Sequence, residues 1–190
     1  AWQIVEQEKV TSALCVPAML NFMLQVPNFE QYDRSTLRWM MTGAAPVPPA
    51  LTKTYSDMGI ELLQVYGLTE TCGPACLMDA KNSLILPEST GKAFFHTEVK
   101  IADASGATCA PGVAGEVLVR GEHIMTEYWN RPEATAETIV DGWLHTGDVA
   151  TMDEQGFVFI QDRIKDMIIS GGENVYPAEI EGVLLSLIHI

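Results

Sequence analysis

Positive charge is scarce in this 190-residue chain: 11 Lys and Arg stand against 25 Asp and Glu, a formal net charge of −14. A surface of that sign repels phosphate backbones and anionic lipid, which argues against general nucleic-acid binding and docking on an anionic membrane. Cysteine is sparse as well. Cys15, Cys72, Cys76 and Cys109 are scattered except for one C-x3-C pair, no His or Cys pair follows at zinc-finger spacing, and His96, His123, His145 and His189 form no ligand cluster. The thiols therefore read as reduced cysteines of a cytoplasmic protein, not as a disulfide framework or a zinc site. No apolar run reaches transmembrane length, and neither a signal-peptide pattern nor an internal repeat is visible. What remains is ordinary: 47% apolar and 19% charged residues suit one globular domain or a piece of a larger one. The opening "AWQIVEQEKV" without an initiator Met and the apolar ending "EGVLLSLIHI" both read as marks of a fragment.

Residues 1–86 read as alternating strands and helices. The apolar run Val10 to Val16 precedes Pro17, which suits a first helical turn. The run "LRWMMTG" ends at Gly43, and Pro48–Pro49 opens a helix with Leu51, Tyr55 and Met58 on one face and Gly59 as its stop. The strand "ELLQVYGL" follows at once. Strand, helix, strand, helix, strand at this spacing predicts parallel pairing with right-handed crossovers. Residues 87–162 change texture: "TEVKIADASGATCAPGVAGEVLVRG" and "GWLHTGDVATMDEQGFVFI" alternate apolar and polar residues, with Asp153–Gly156 as a hairpin tip. From residue 163 a basic-acidic step, a glycine pair and a helix entered at Pro177 open a third segment, 163–190. That helix sets Ile180, Leu184 and Leu187 on one face with no partner strands in the sequence, so those side chains are expected to be exposed. The expected class is α/β: a parallel-sheet subdomain, a small antiparallel β subdomain and the truncated start of a small α+β C-terminal domain.

In parallel α/β sheets ligands settle beyond the carboxyl ends of the strands. Two such ends are built from small residues, "TGAAP" and "YGLTE". Gly43, Ala44 and Ala45 leave backbone bare enough for close approach, Gly67 breaks the second run, and Tyr66 offers an aromatic face. Thr69 can meet a phosphate oxygen, and Glu70 is a hard oxygen donor suited to Mg²⁺. Each also has a plain reading: Gly43 as a turn, Tyr66 as core, Glu70 as the acid of a first helical turn. Asp148 in "LHTGDVA" suits a carboxylate that grips two vicinal hydroxyls, or an ordinary turn acid. Arg163 can reach the same ribose or a phosphate with its rigid fork, and Gly171–Gly172 serves a narrow passage or a plain turn.

The ordered blocks "MTGAAP", "YGLTET", "GEVLVRGEHIMTEYWNRPEATAET", "GWLHTGDVA" and "DRIKDMIISGGENVYPAEIE" together resemble the adenylate-forming superfamily of acyl-CoA synthetases, peptide-synthetase adenylation domains and luciferases. Within it the last block looks most like a fatty acyl-CoA synthetase. The resemblance implies an AMP-forming acid–thiol ligase that uses ATP, Mg²⁺ and CoA on a carboxylic acid. It further implies that Tyr66 stacks on adenine, Gly43 to Ala45 line the adenine and acyl pockets, and Thr69 contacts the phosphate, with Gly67 among the cofactor-binding residues. Glu70 would hold Mg²⁺, and Asp148 and Arg163 the ribose. Lys165 would occupy the hinge of the small domain, and Gly171 and Gly172 the pantetheine passage. The family's Lys-bearing phosphate loop and its C-terminal catalytic lysine find no match, so the chain by itself is expected to be inactive. "LLSLIHI" stands where "LLSHP" is usual, which puts the native origin of the last five residues in question. The alternatives are a non-catalytic nucleotide-binding or interaction module, a carrier-protein-loading adenylation domain and a luciferase-like oxidase.

Overall fold

The computed structural model describes residues 1–170 and 173–186. They divide into two compact units, Ala1–Val65 with Met78–Glu88, and Tyr66–Leu77 with the chain from Ser89 onward.

The first unit contains α1 (Trp2–Gln7), β1 (Ser12–Leu14), α2 (Pro17–Leu24), β2 (Trp39–Gly43), α3 (Pro49–Asp57) and most of β3 (Glu61–Leu68). β1 pairs with β2 and β2 with β3, both in parallel, as the alternation of strand and helix predicts. Pro17 and Pro49 each occupy the first helical position, where a missing N–H costs nothing and φ is already set. Trp2, Leu20, Met40, Leu51, Tyr55, Ile60 and Leu62 form the core. Tyr55 is wholly buried and keeps its hydroxyl satisfied by donating to the Leu20 carbonyl at 2.9 Å. Full burial of such a side chain contributes about 1.5–3 kcal/mol. The apolar run Val10–Val16 yields only a three-residue strand, β1, at the end of the parallel set, and its Leu14 is 70% exposed.

The second unit takes the end of β3 and adds β4 (Gly73–Leu77), β5 (Lys92–Ala93), β6 (Glu98–Ala102), β7 (Gly115–Arg120), α4 (Pro132–Thr138), β8 (Ile139–Val140), β9 (Trp143–Met152) and β10 (Val158–Arg163). The antiparallel order is β10-β9-β7-β6, with β8 also paired to β9. Ala75, Cys76, Ile101, Val117, Val119, Leu144, Ala150 and Val158 fill its core. The expected hairpin tip is present: Asp153 Oδ1 accepts the N–H groups of Gln155 and Phe157 at 2.9 and 2.8 Å. β11 (Ile168–Ser170) pairs antiparallel with β12 (Glu173–Val175), and α5 (Pro177–Ser186) follows. Gly171, Gly172 and Leu187 lie outside the described residues. Ile180 and Leu184 are 55% and 63% exposed, as their unpartnered face predicts. Among the described residues no helix is long and apolar enough to cross a membrane.

Candidate functional site

β9 is the strand that builds the site, because it breaks register with both neighbours. Against β7 the pairing runs Glu116↔Val149 and then Leu118↔His145, so Thr146, Gly147 and Asp148 stand opposite Val117 alone. Against β10 it runs Ile160↔Ala150 and then Asp162↔Val149, leaving Gln161 as the extra residue. Bulges of this kind re-aim side chains and bend a strand. Here the bulge interrupts the alternation of β9, so that Asp148, Val149 and Ala150 are buried in succession.

Several groups hold the bulge. Gly147 adopts φ +72°, a left-handed conformation that favours glycine. The Thr146 hydroxyl donates to the Val117 carbonyl at 2.8 Å and accepts the Asp148 N–H at 3.1 Å. Glu116 accepts the Gly147 N–H on Oε1 at 3.0 Å, and its Oε2 lies 2.8 Å from His145 Nδ1. The Ile164 N–H donates to the Gly147 carbonyl at 2.8 Å.

The product is a buried carboxylate with a donor on each oxygen. Tyr66 donates its hydroxyl to Asp148 Oδ2 at 2.6 Å, and Arg163 donates Nε to Asp148 Oδ1 at 3.1 Å. The Asp148 side chain is 10% exposed and that of Arg163 49% exposed, so the ion pair is anchored inside and open outside. Burial first, and then the Asp148 charge, push the Tyr66 phenol well above its ordinary value, which keeps it a hydrogen-bond donor. A carboxylate oxygen has room for a second bond. Asp148 can therefore accept hydroxyl groups from a ligand while it remains held by the protein.

Beyond Gly67, residues Thr69–Thr71 form one short helical turn. Thr71 is buried and structural: its Oγ1 accepts the Leu68 N–H at 2.9 Å and donates to the Gly73 carbonyl at 2.6 Å. Thr69 is exposed. Glu70 is half-buried, accepts the Tyr128 hydroxyl on Oε1 at 2.7 Å, and takes the Met125 N–H on its carbonyl at 2.8 Å. The Tyr128–Glu70 carboxylate bond, more than burial, raises the Tyr128 phenol above its ordinary value. Among the described residues no three His, Cys, Asp or Glu side chains converge to hold a metal. One carboxylate nonetheless fits Mg²⁺, which is commonly held by one or two carboxylates with the remaining ligands from water and substrate phosphates.

The structure thus brings together Tyr66, Asp148 and Arg163 and sets Glu70 against Tyr128. Gly43, Ala44 and Ala45 belong to the other unit. A Cβ on Gly43 would stand 2.1 Å from the Val65 carbonyl oxygen, and one on Gly67 2.4 Å from that of Gly73, so both glycines are required by neighbouring backbone whatever the ligand. Ala44 and Ala45 are exposed, Ala44 with φ +64°. Lys165 is exposed after β10, and just before it Asp162 Oδ2 accepts the Ala178 N–H of α5 at 3.0 Å. Sequence reasoning missed Glu116, Thr146 and Tyr128. The available signal for Glu116 was its phase, since it shares a face of β7 with Leu118, which is buried.

A buried acid held at a strand bulge, beside an aromatic ring and an arginine, leaves acceptor capacity toward hydroxyl groups. Residues 1–129 match the family described as "AMP-binding enzyme", and the chain belongs to that family. It is 45% identical over 186 residues to the long-chain-fatty-acid–CoA ligase FadD13 of Mycobacterium tuberculosis, covering 98% of this chain and 37% of that ligase. To a feruloyl-CoA synthase of an Amycolatopsis species it is 46% identical over 180 residues, 95% of this chain and 37% of that protein. The o-succinylbenzoate CoA synthetase of Bacillus subtilis, solved with its acyl-adenylate intermediate, superposes with a TM-score of 0.90 at 37% identity, covering 97% of this chain and 37% of that one. The chain therefore spans little more than a third of the length of these relatives.

Proposed function

We propose that this chain supplies the adenylate-binding part of an ATP-dependent, AMP-forming acyl-CoA synthetase acting on a carboxylic acid of the fatty-acid class. The observation that carries the reading is the bonded series Tyr66–Asp148–Arg163, a desolvated carboxylate that two donors fix in place and that retains acceptor capacity. In this reading Asp148 accepts the ribose hydroxyls, Arg163 supports the ribose, and the Tyr66 ring lies against adenine. Gly43, Ala44 and Ala45 border the adenine and acyl pockets, Thr69 contacts the phosphate, and Gly67 is a further cofactor-binding residue. Glu70 holds Mg²⁺, which neutralises phosphate charge when bound. The acid's carboxylate oxygen bonds to the α-phosphorus as pyrophosphate leaves, and the CoA thiol then takes the acyl group as AMP leaves. On a chain of net charge −14, an anionic nucleotide is recruited by local donors and the metal, since long-range attraction is absent.

Lys165 is the hinge, and Gly171 and Gly172 border the pantetheine passage. The four free cysteines suit a reducing cytoplasm. The reading is tested by titrating the full-length protein with AMP. Asp148→Ala is expected to weaken AMP by about 10- to 100-fold, the effect of losing hydrogen bonds to a charged group, and to abolish acid-dependent pyrophosphate exchange. Unchanged AMP affinity would overturn the assignment.

A further inference from the structure

The bulge that aims Asp148 is a backbone feature, and one acid secures it at its apex. Glu116 is three-quarters buried on β7 and spends both oxygens on β9, Oε1 on the Gly147 N–H at 3.0 Å and Oε2 on His145 Nδ1 at 2.8 Å. These bonds bracket Thr146 and stop one residue short of Asp148. An antiparallel ladder would ordinarily use strand N–H groups for its own pairing. In the bulge the Gly147 N–H donates to the Glu116 side chain of β7.

We infer that Glu116 is a positioning residue for ribose recognition: by holding the Gly147 N–H it sets the Thr146–Gly147 peptide, one link before Asp148, and so fixes where the carboxylate presents its free lone pairs. The inference rests on the adenylate reading above. It distinguishes Glu116 from a residue that merely stabilises the sheet, because loss of the bond should disturb the ribose hydroxyls and spare the adenine and phosphate contacts. His145 holds the second oxygen and keeps the carboxylate turned toward Gly147.

The test compares AMP with 2′,3′-dideoxy-AMP, their affinities measured by calorimetry on the full-length protein. Wild type is expected to prefer AMP. Glu116→Ala should lower that preference by about fivefold or more, the effect of a displaced hydrogen bond, while the dideoxy nucleotide binds within about twofold of wild type. Glu116→Met, similar in length and without an acceptor, should do the same and stands in if alanine does not fold. Glu116→Gln keeps an acceptor for the Gly147 N–H, and its amide can donate to His145 in the other imidazole tautomer, so it should retain the wild-type preference. An unchanged preference in the Ala or Met variant, with both nucleotides weakened in parallel, overturns the positioning role and leaves a structural one. A glutamine variant as impaired as alanine overturns the hydrogen-bond account. Wild type that binds neither nucleotide, or binds both equally, overturns the adenylate reading itself and the inference with it.

Discussion

Tyr66→Phe removes one hydroxyl and leaves the ring, so it isolates the bond to Asp148. The bond is 2.6 Å long and runs to a carboxylate that is 10% exposed. Hydrogen bonds to charged groups contribute about 1.5–3 kcal/mol. Part of that is offset because phenylalanine has no hydroxyl to desolvate, which brings the expected loss to about 1–2 kcal/mol. Arg163→Ala should cost less, about 0.5 kcal/mol, because its ion pair is half-exposed and solvent screens it. The decisive quantity is the coupling. In an Asp148→Ala background the phenol has lost its acceptor, so Tyr66→Phe should then cost under about 0.5 kcal/mol or even stabilise. Urea denaturation of the full-length protein, followed by tryptophan fluorescence with Trp143 in the same unit, measures all four corners of the cycle. A Tyr66→Phe loss of equal size in both backgrounds would refute the bond as a stabilising element. So would an Arg163→Ala loss larger than that of Tyr66→Phe.

Two further outcomes follow from packing. Gly67→Ala places a Cβ 2.4 Å from the Gly73 carbonyl oxygen and should destabilise by about 1–3 kcal/mol in the same urea assay, since backbone must move to admit it; a loss below about 0.5 kcal/mol contradicts the crowding argument. Below pH 9, iodoacetamide should label the exposed Cys72 and spare the buried Cys76, whose thiol burial pushes from 9.0 up to about 12. Because that folded value is the higher one, the associated stability is complete below the ordinary thiol value and declines as pH rises toward 12; equal labelling of the two thiols in the native protein would overturn the placement.

The parallel unit was legible because its signals are local. Apolar runs of strand length, Pro at the first helical position and the Leu51–Tyr55 spacing each depend on a few adjacent residues, and β2, α3 and β3 form where those signals put them. The antiparallel strands were legible from alternation in the same way. The site was legible only as separate candidates. Tyr66 and Asp148 are 82 residues apart, Glu116 and Gly147 31, and Glu70 and Tyr128 58. Such pairs are decided by strand register, and a register shift on β9 leaves no trace in alternation read one strand at a time. Thr71 shows the converse. It looks like part of a polar ligand cluster with Thr69 and Glu70, yet its hydroxyl is consumed by backbone at Leu68 and Gly73.

The bulged strand also bears on why an acid stands at position 148 at all. A regular β9 would alternate its side chains, and a core-facing position there would be met most cheaply by an aliphatic residue. Replacing a buried ion pair by apolar groups of similar size is often neutral or stabilising. Here the fold instead interrupts two ladders, places a glycine at positive φ, commits Glu116 and Thr146 to the backbone of the bulge, and commits Tyr66 and Arg163 to one carboxylate. The Tyr66 and Arg163 bonds lower the cost of burying the charge, the bulge and its supports set where it lies, and none of them requires that a charge be there. Sheet stability therefore does not account for Asp148. On the adenylate reading proposed above, the arrangement makes sense as the upkeep of an acceptor that is aimed and partly unsatisfied until a hydroxyl-bearing ligand completes it.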